Sequence, residues 1–297
     1  MPILQRTELG AWLAERMGSW ATVGGVAGVG FEAYARILHP VGGRRLDLAM
    51  TDEWGGHPAL EERPWRWADV AARSGHIMHP LVQWRRLTGE QDFLRFPDGW
   101  SLDQSRDGWF DPALLATLTV HLRLATATPS SVVLGVWNGW DKGGGSAVFS
   151  FAAVGGEADT DQELDRLRRL EELRQAQIAA SSVAFNEAVD RGAVLTLPGR
   201  NFVLLRASLD ELEDPDWGYS AGIGWSAGDN HPTPQLIWPD DHAWCVASEI
   251  DWDFTLVAGP RTLINAILAD HDFESFEVQE TDDLSWNGDT INKKSTP

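Results

Sequence analysis

The stretch from Trp238 to Gly259 reads WPDDHAWCVASEIDWDFTLVAG. Taken at the two-residue period of a strand, it places Trp244, Val246, Ser248, Ile250, Trp252 and Phe254 on one face and Cys245, Ala247, Glu249, Asp251 and Asp253 on the other. The first face is a core surface. The second ends in three carboxylates about 7 Å apart along the strand, too far to share a proton. Two of them with one outside ligand would suffice to hold Mg²⁺, Ca²⁺ or Mn²⁺. Repulsion between neighbours at that spacing is about 0.6 kcal/mol in water and about 2.4 kcal/mol at an effective dielectric near 20, where a positive partner becomes necessary. Burial of Glu249, Asp251 and Asp253 therefore decides between a solvated face, a cation site and a docking surface for a basic protein.

Charge points the same way. The formal net charge of −20 is carried almost wholly by the second half of the chain: residues 1–155 are nearly neutral, whereas residues 156–297 hold 10 basic and 28 acidic side chains. Between Asn201 and Asn292, 19 acids face only Arg206 and Arg261. Such a field disfavours nucleic acid and anionic membranes as ligands and favours cations or a basic protein partner. No run of apolar residues is long enough to span a bilayer, and the charged start MPILQRTELGAWLAERMG lacks the apolar region of a signal peptide, so a cytoplasmic location is expected. The single cysteine, Cys245, excludes an internal disulfide framework and reads as an inert buried thiol. Sixteen tryptophans are scattered from Trp12 to Trp286, which argues for hydrophobic corners over one aromatic platform.

Working outward in both directions, helical spacing predicts helices at Thr7–Met17, at Phe31–His39 before Pro40, after Pro64 up to Gly75, from Pro80, and from Asp111 to about Ala125. The glycines of TVGGVAGVG (Thr22–Gly30) have the wrong spacing for a dinucleotide loop and read as a flexible strand or loop. SSVVLGVWNGW and SAVFSFAAVG read as a hairpin about the DKGGG turn, and TDQE (Thr160–Glu163) as a capping box that opens a long helix, with a possible break near Ser181 and Ser182. A second hairpin is expected about Pro198–Asn201, a capping box at Ser208–Glu211, a long loop over Asp214–Pro234, a helix over Pro260–Asp270, and a last strand at ESFEV. The expected fold is α+β, with a helix-rich N-terminal part (1–157), an acidic C-terminal part (158–292) built on a mostly antiparallel sheet with the long helix, and a disordered tail (293–297).

Strong catalytic signatures are missing: there is no GxSxG, HExxH, CxxC or Walker sequence, and His76 and His79 have no ligand at a diagnostic distance. YARILHP (Tyr34–Pro40) and WPDDHAWCVASEID (Trp238–Asp251) resemble segments of an uncharacterised family of actinobacterial proteins with YAR-x-LHP near the start and WP-x-D-x-AWCVA-x-EID near the end. The resemblance implies a bacterial cytoplasmic protein and transfers no catalytic residue. Two functions remain open. One is a non-enzymatic, immunity-like interaction module, without a cofactor, that binds a basic partner through Glu249, Asp251 and Asp253. The other is a divalent-metal-dependent hydrolase using the same carboxylates with Mg or Ca.

Overall fold

A computed structural model describes residues 1–52, 55–89, 91, 93–140, 168–169, 172–173, 176–226 and 232–292. Its first half runs β1 (Ile3–Leu4), a 3₁₀ turn (Thr7–Gly10), α1 (Ala11–Ala14), α2 (Val23–Ala27), β2 (Ala33–Leu38), β3 (Val41–Leu46) and β4 (Ala59–Trp65). There follow α3 (Trp67–Ser74), α4 (Trp84–Leu87), β5 (Phe93–Arg95), β6 (Trp100–Asp103), α5 (Pro112–Leu124) and β7 (Val132–Trp137). The second half adds α6 (Val183–Asp190), β8 (Leu195–Leu197), β9 (Arg200–Ala207), α7 (Leu209–Leu212), α8 (Gly218–Ala221), β10 (Leu236–Pro239), β11 (Cys245–Ala247), β12 (Phe254–Gly259), α9 (Arg261–Ala269) and β13 (Glu274–Val278).

The expectation of a helix-rich N-terminal part is overturned. Residues before 138 contribute strands β1 to β7, and their helices are mostly single turns. Phe31–His39 shows why the helical reading fails. Its apolar run fits either period, but glycines at positive φ (Gly28 and Gly30) precede it and Pro40 follows, leaving room for a strand and not for a stable helix. As β2 it lies between β12 and β13, hydrogen-bonded along both edges. Pro64 likewise sits in β4, at the edge of its sheet, where a missing amide is tolerated. The helix beyond it, α3, starts at Trp67, where Glu274 of β13 accepts from the amides of Trp67 and Ala68, each at 2.7 Å. A carboxylate there satisfies exposed donors and suits the positive helix end.

Among the described residues the large sheet has nine strands, all antiparallel, in the order β1-β9-β7-β10-β11-β12-β2-β13, with β8 beside β9. It thus takes strands from both sides of residue 158. A second sheet has the order β4-β3-β6-β5. Both faces of the large sheet are covered. Ala33, Ala35 and Ile37 of β2, with Val246 and Trp244, face the helical side, against Leu115, Leu118, Leu122, Ile264 and Ile267. Tyr34 and Leu38, with Cys245 and Ala247, face Trp65, Trp67, Trp84, Trp100 and Leu102 on the side of the smaller sheet. Among the described residues no helix is long and apolar enough to cross a membrane.

Several local readings hold. Asp111 caps α5, its carboxylate accepting from the Ala113 amide, with Pro112 as the first helical residue. The strand at Val132–Trp137, the hairpin of β8 and β9, the helix after Pro260 and the strand at Glu274–Val278 are all present. A turn at Ser182 interrupts the helix, near the expected break. TVGGVA is helical, not extended, with the Thr22 hydroxyl accepting from the Gly25 amide. The DKGGG turn, SAVFSFAAVG, the Thr160 capping box and the tail 293–297 lie outside the described residues. At Ser208 both halves of the capping box form: the Ser208 hydroxyl accepts from the Glu211 amide, and the Glu211 carboxylate accepts from the Ser208 amide. Ser208→Ala is expected to lower the stability by about 1 kcal/mol, read as the shift in a urea unfolding curve; an unchanged midpoint would remove the cap as a contributor.

Candidate functional site

The strand expected from Trp244 to Phe254 is two strands. β11 ends at Ala247, the chain leaves the ladder over residues 248–253, and β12 begins at Phe254. Alternation holds for Trp244 to Ala247 and then breaks, so Phe254 packs with Cys245 and not with Trp244. Glu249, Asp251 and Asp253 are therefore loop residues, and they do not share one face. Burial explains each placement separately.

Glu249, with a side chain 8% exposed, receives Arg200 at 3.0 Å from Nε and 2.6 Å from Nη2. The same Nη2 reaches Asp251 Oδ2 at 2.7 Å, although the Asp251 side chain is 66% exposed. Burial pushes the Glu249 carboxyl above its usual range while Arg200 pulls it back. This arginine opens β9, one residue ahead of the segment in which acids most outnumber bases, and its guanidinium lies over the Trp20 ring. The positive partner that burial requires is thus supplied from within the chain.

Asp253 points elsewhere. It is 6% exposed and borders a cleft of about 180 Å³ with Asp107, Asp251, Trp252, Trp84, Gln83, Gln104, Arg85, Arg86, Leu284 and Trp286. The cleft is assembled from four chain segments. Residues 104–107 are pressed onto the acidic loop at Gly108, whose amide donates to the Trp252 carbonyl at 2.8 Å. Gly108 has φ +66°, and a Cβ there would lie 2.6 Å from Ile250 Cα, so only glycine permits this approach. Asp107 is held by Gln104 Nε2 at 3.0 Å. The opposite wall is α4, to which the 284–289 segment is fastened: Asp289, fully buried, accepts from the Gln83 amide at 3.2 Å and meets His79 Nε2 at 2.9 Å.

Beneath Asp253 lies a second buried charge. Arg36 is fully buried on β2, donating to the Pro80 carbonyl at 2.8 Å, its guanidinium 3.9 Å from the centre of the Phe254 ring. Phe254 in turn stacks on Trp252, with ring centres 5.0 Å apart. Among the described residues, Nε and Nη2 of Arg36 find no hydrogen-bond partner. Burial lowers its pKa to about 10, Asp253 and Asp289 opposing. Burial raises Asp253 to about 7, with Arg36 opposing and Asp107 reinforcing. Asp107 itself is raised, again chiefly by burial. His39, next to this layer, is stacked on Phe110 and bonded to Thr255 Oγ1 at 2.8 Å, and burial drives it down to about 3, so it stays neutral.

The remaining candidates have structural partners. Asp240 pairs with Arg206 and Ser131, and Asp241 accepts from Thr126 and Ala127. Both lie in the turn between β10 and β11, at the opposite end of β11 from residues 249–253. Cys245 is buried and its thiol is pushed up to about 12. His76 meets Ser74 while His79 meets Asp289, so the two are engaged separately. Among the described residues, no three His, Cys, Asp or Glu side chains form a group able to hold a metal ion. What the sequence reading missed is Arg36, Asp107 and the meeting of Trp84, Trp252 and Trp286 at one cleft. Arg36 was the legible one, as a charge inside an apolar strand.

Compared with known proteins, the chain matches no family model, no curated protein and no solved structure.

Proposed function

We propose that this protein is a non-enzymatic binding module, resident in the bacterial cytoplasm, that captures a basic protein partner through its acidic C-terminal surface. The contact is centred on the 251–253 loop and the cleft it borders. The reading rests on one observation, that Asp107, Asp251 and Asp253 converge on a single cleft in a chain of net charge −20. A field of that sign concentrates cations and repels nucleic acid. Arg200 engages both Glu249 and Asp251, but Glu249 is buried and belongs to the scaffold of this surface, whereas most of the Asp251 side chain is exposed to solvent.

The test uses a synthetic lysine- and arginine-rich peptide followed by fluorescence anisotropy. Affinity is expected to fall about tenfold from low to physiological salt, as exposed charges become screened, and to fall again in Asp251→Lys. Asp214→Lys changes the net charge equally at an exposed position outside the cleft and is expected to bind as the wild type does. Equal weakening by both substitutions, or by neither, would overturn the reading.

A further inference from the structure

The cleft beside Asp253 has properties that a merely acidic surface lacks. Asp253 is more than nine-tenths buried, yet it borders open space, and no other described residue donates a hydrogen bond to its carboxylate. Arg36 at longer range and, more weakly, its own backbone amide favour the charged form. Its oxygens are not among the fully buried atoms left without a partner, so the carboxylate is open to the cleft, where a donor from outside can meet it. Arg36 cannot act as that donor. It is not within ion-pair distance of Asp253 in the structure, and its guanidinium is fixed between the Phe254 ring and the Pro80 carbonyl.

Size and lining narrow the class of donor. A volume of about 180 Å³ falls below the 300–1,000 Å³ or so of sites for drug-sized ligands. It matches the end of one side chain. The walls combine the carboxylates of Asp107 and Asp251 with the indoles of Trp84 and Trp252, the pairing that suits a cation carried on an aliphatic stem. Arg85 and Arg86 also line the cleft: Arg85 lies 4.1 Å from the centre of the Trp286 ring and favours the ionised form of Asp107, and Arg86 donates to the Trp286 carbonyl at 3.4 Å.

We propose that this cleft seats the guanidinium or ammonium end of one arginine or lysine side chain of the partner, its charge facing Asp253 and Asp107 and its stem along Trp252 and Trp84. This rests on the reading of the protein as a binder of a basic partner, and it names the partner's anchor. Binding then depends on pH, because the cation needs Asp253 ionised. The groups facing Asp253 are Arg36 from β2, Asp107 from the segment after β6, Asp251 on its own loop, and Arg85 and Arg86 from α4.

Calorimetric titration with Nα-acetyl-arginine methylamide and Nα-acetyl-lysine methylamide tests the proposal, with the citrulline analogue and glucose as neutral probes. At about pH 8 at least one cation is expected to bind with Kd near or below about 1 mM, at least tenfold more tightly than either neutral probe. Affinity is expected to fall about tenfold at about pH 5, where Asp253 holds its proton. Asp107→Asn and Trp252→Ala are each expected to weaken binding about tenfold, and Asp253→Asn to abolish it without loss of the folded state. Absence of binding by both cations, or glucose binding in their place, overturns the proposal. If the basic peptide still binds with its salt dependence and its Asp251 sensitivity, the anchor alone is wrong; if the peptide fails too, the reading beneath it falls as well.

Discussion

Replacing Asp253 by asparagine is expected to stabilise the protein at and above neutral pH. The carboxyl is raised from 3.8 to about 7 in the folded chain, so between those values the folded state holds a proton that the unfolded state has lost. The sign follows directly: the contribution of this group to stability is complete below about pH 4, declines as the pH rises, and is lost by about pH 7. The difference is worth up to about 4 kcal/mol. Asparagine has nearly the same shape and no charge to desolvate. Denaturant titrations at about pH 5 and pH 8 would show the gain only at the higher pH and a flatter pH dependence in the variant. A variant less stable than the wild type at pH 8 would mean that compensation of Arg36 outweighs the desolvation of Asp253. An acid kept at such a cost to stability is the pattern expected where a position serves binding more than folding.

Arg200→Met is expected to have the opposite effect. Glu249 would remain in its buried position with its positive partner gone, a loss of about 3 kcal/mol for a pair broken on one side only. Burial already raises the Glu249 carboxyl, and without Arg200 it would rise further. The variant should therefore be weakest at high pH and recover as acid protonates Glu249. The double variant Arg200→Met, Glu249→Gln is expected to regain most of the loss, because no buried charge is left unpaired. Asp251→Asn should cost no more than about 1 kcal/mol, since that carboxylate is mostly solvated. If Arg200→Met unfolds at the same denaturant concentration as the wild type, the Arg200 clamp is not what holds the 249–251 turn.

How much of this could be read beforehand depended on the range of the deciding interaction. Asp111 with Pro112, the capping box at Ser208 and the Gly199 hairpin are set within a few residues, and sequence alone located them. The apolar run from Tyr34 to Leu38 fits strand and helix alike, and the flanking glycines and Pro40 only limit its length; partners more than 200 positions away, in β12 and β13, settle the matter. The acidic stretch failed for a related reason. Its alternation was real up to Ala247, but nothing in EIDWD announces that the chain turns there, because the turn is enforced by Gly108 and Arg200 from other parts of the sequence. The question of burial was well posed, and it had three answers: Glu249 buried and paired, Asp251 exposed, Asp253 buried and facing a cleft. The tryptophans that line that cleft come from positions 84, 252 and 286, so no window along the chain could have grouped them.

The position of β2 also bears on how the protein is made. A ribosome working at roughly 5–20 residues per second needs about 10 to 40 seconds between releasing residue 38 and reaching residue 254. Through that interval a wholly buried strand has neither of its flanking partners, and the arginine at its centre has no opposing carboxylate from residue 253 or 289. The nascent chain must keep β2 unpaired or sheltered until residues 254–278 have been synthesised, which leaves this strand in need of a chaperone's protection.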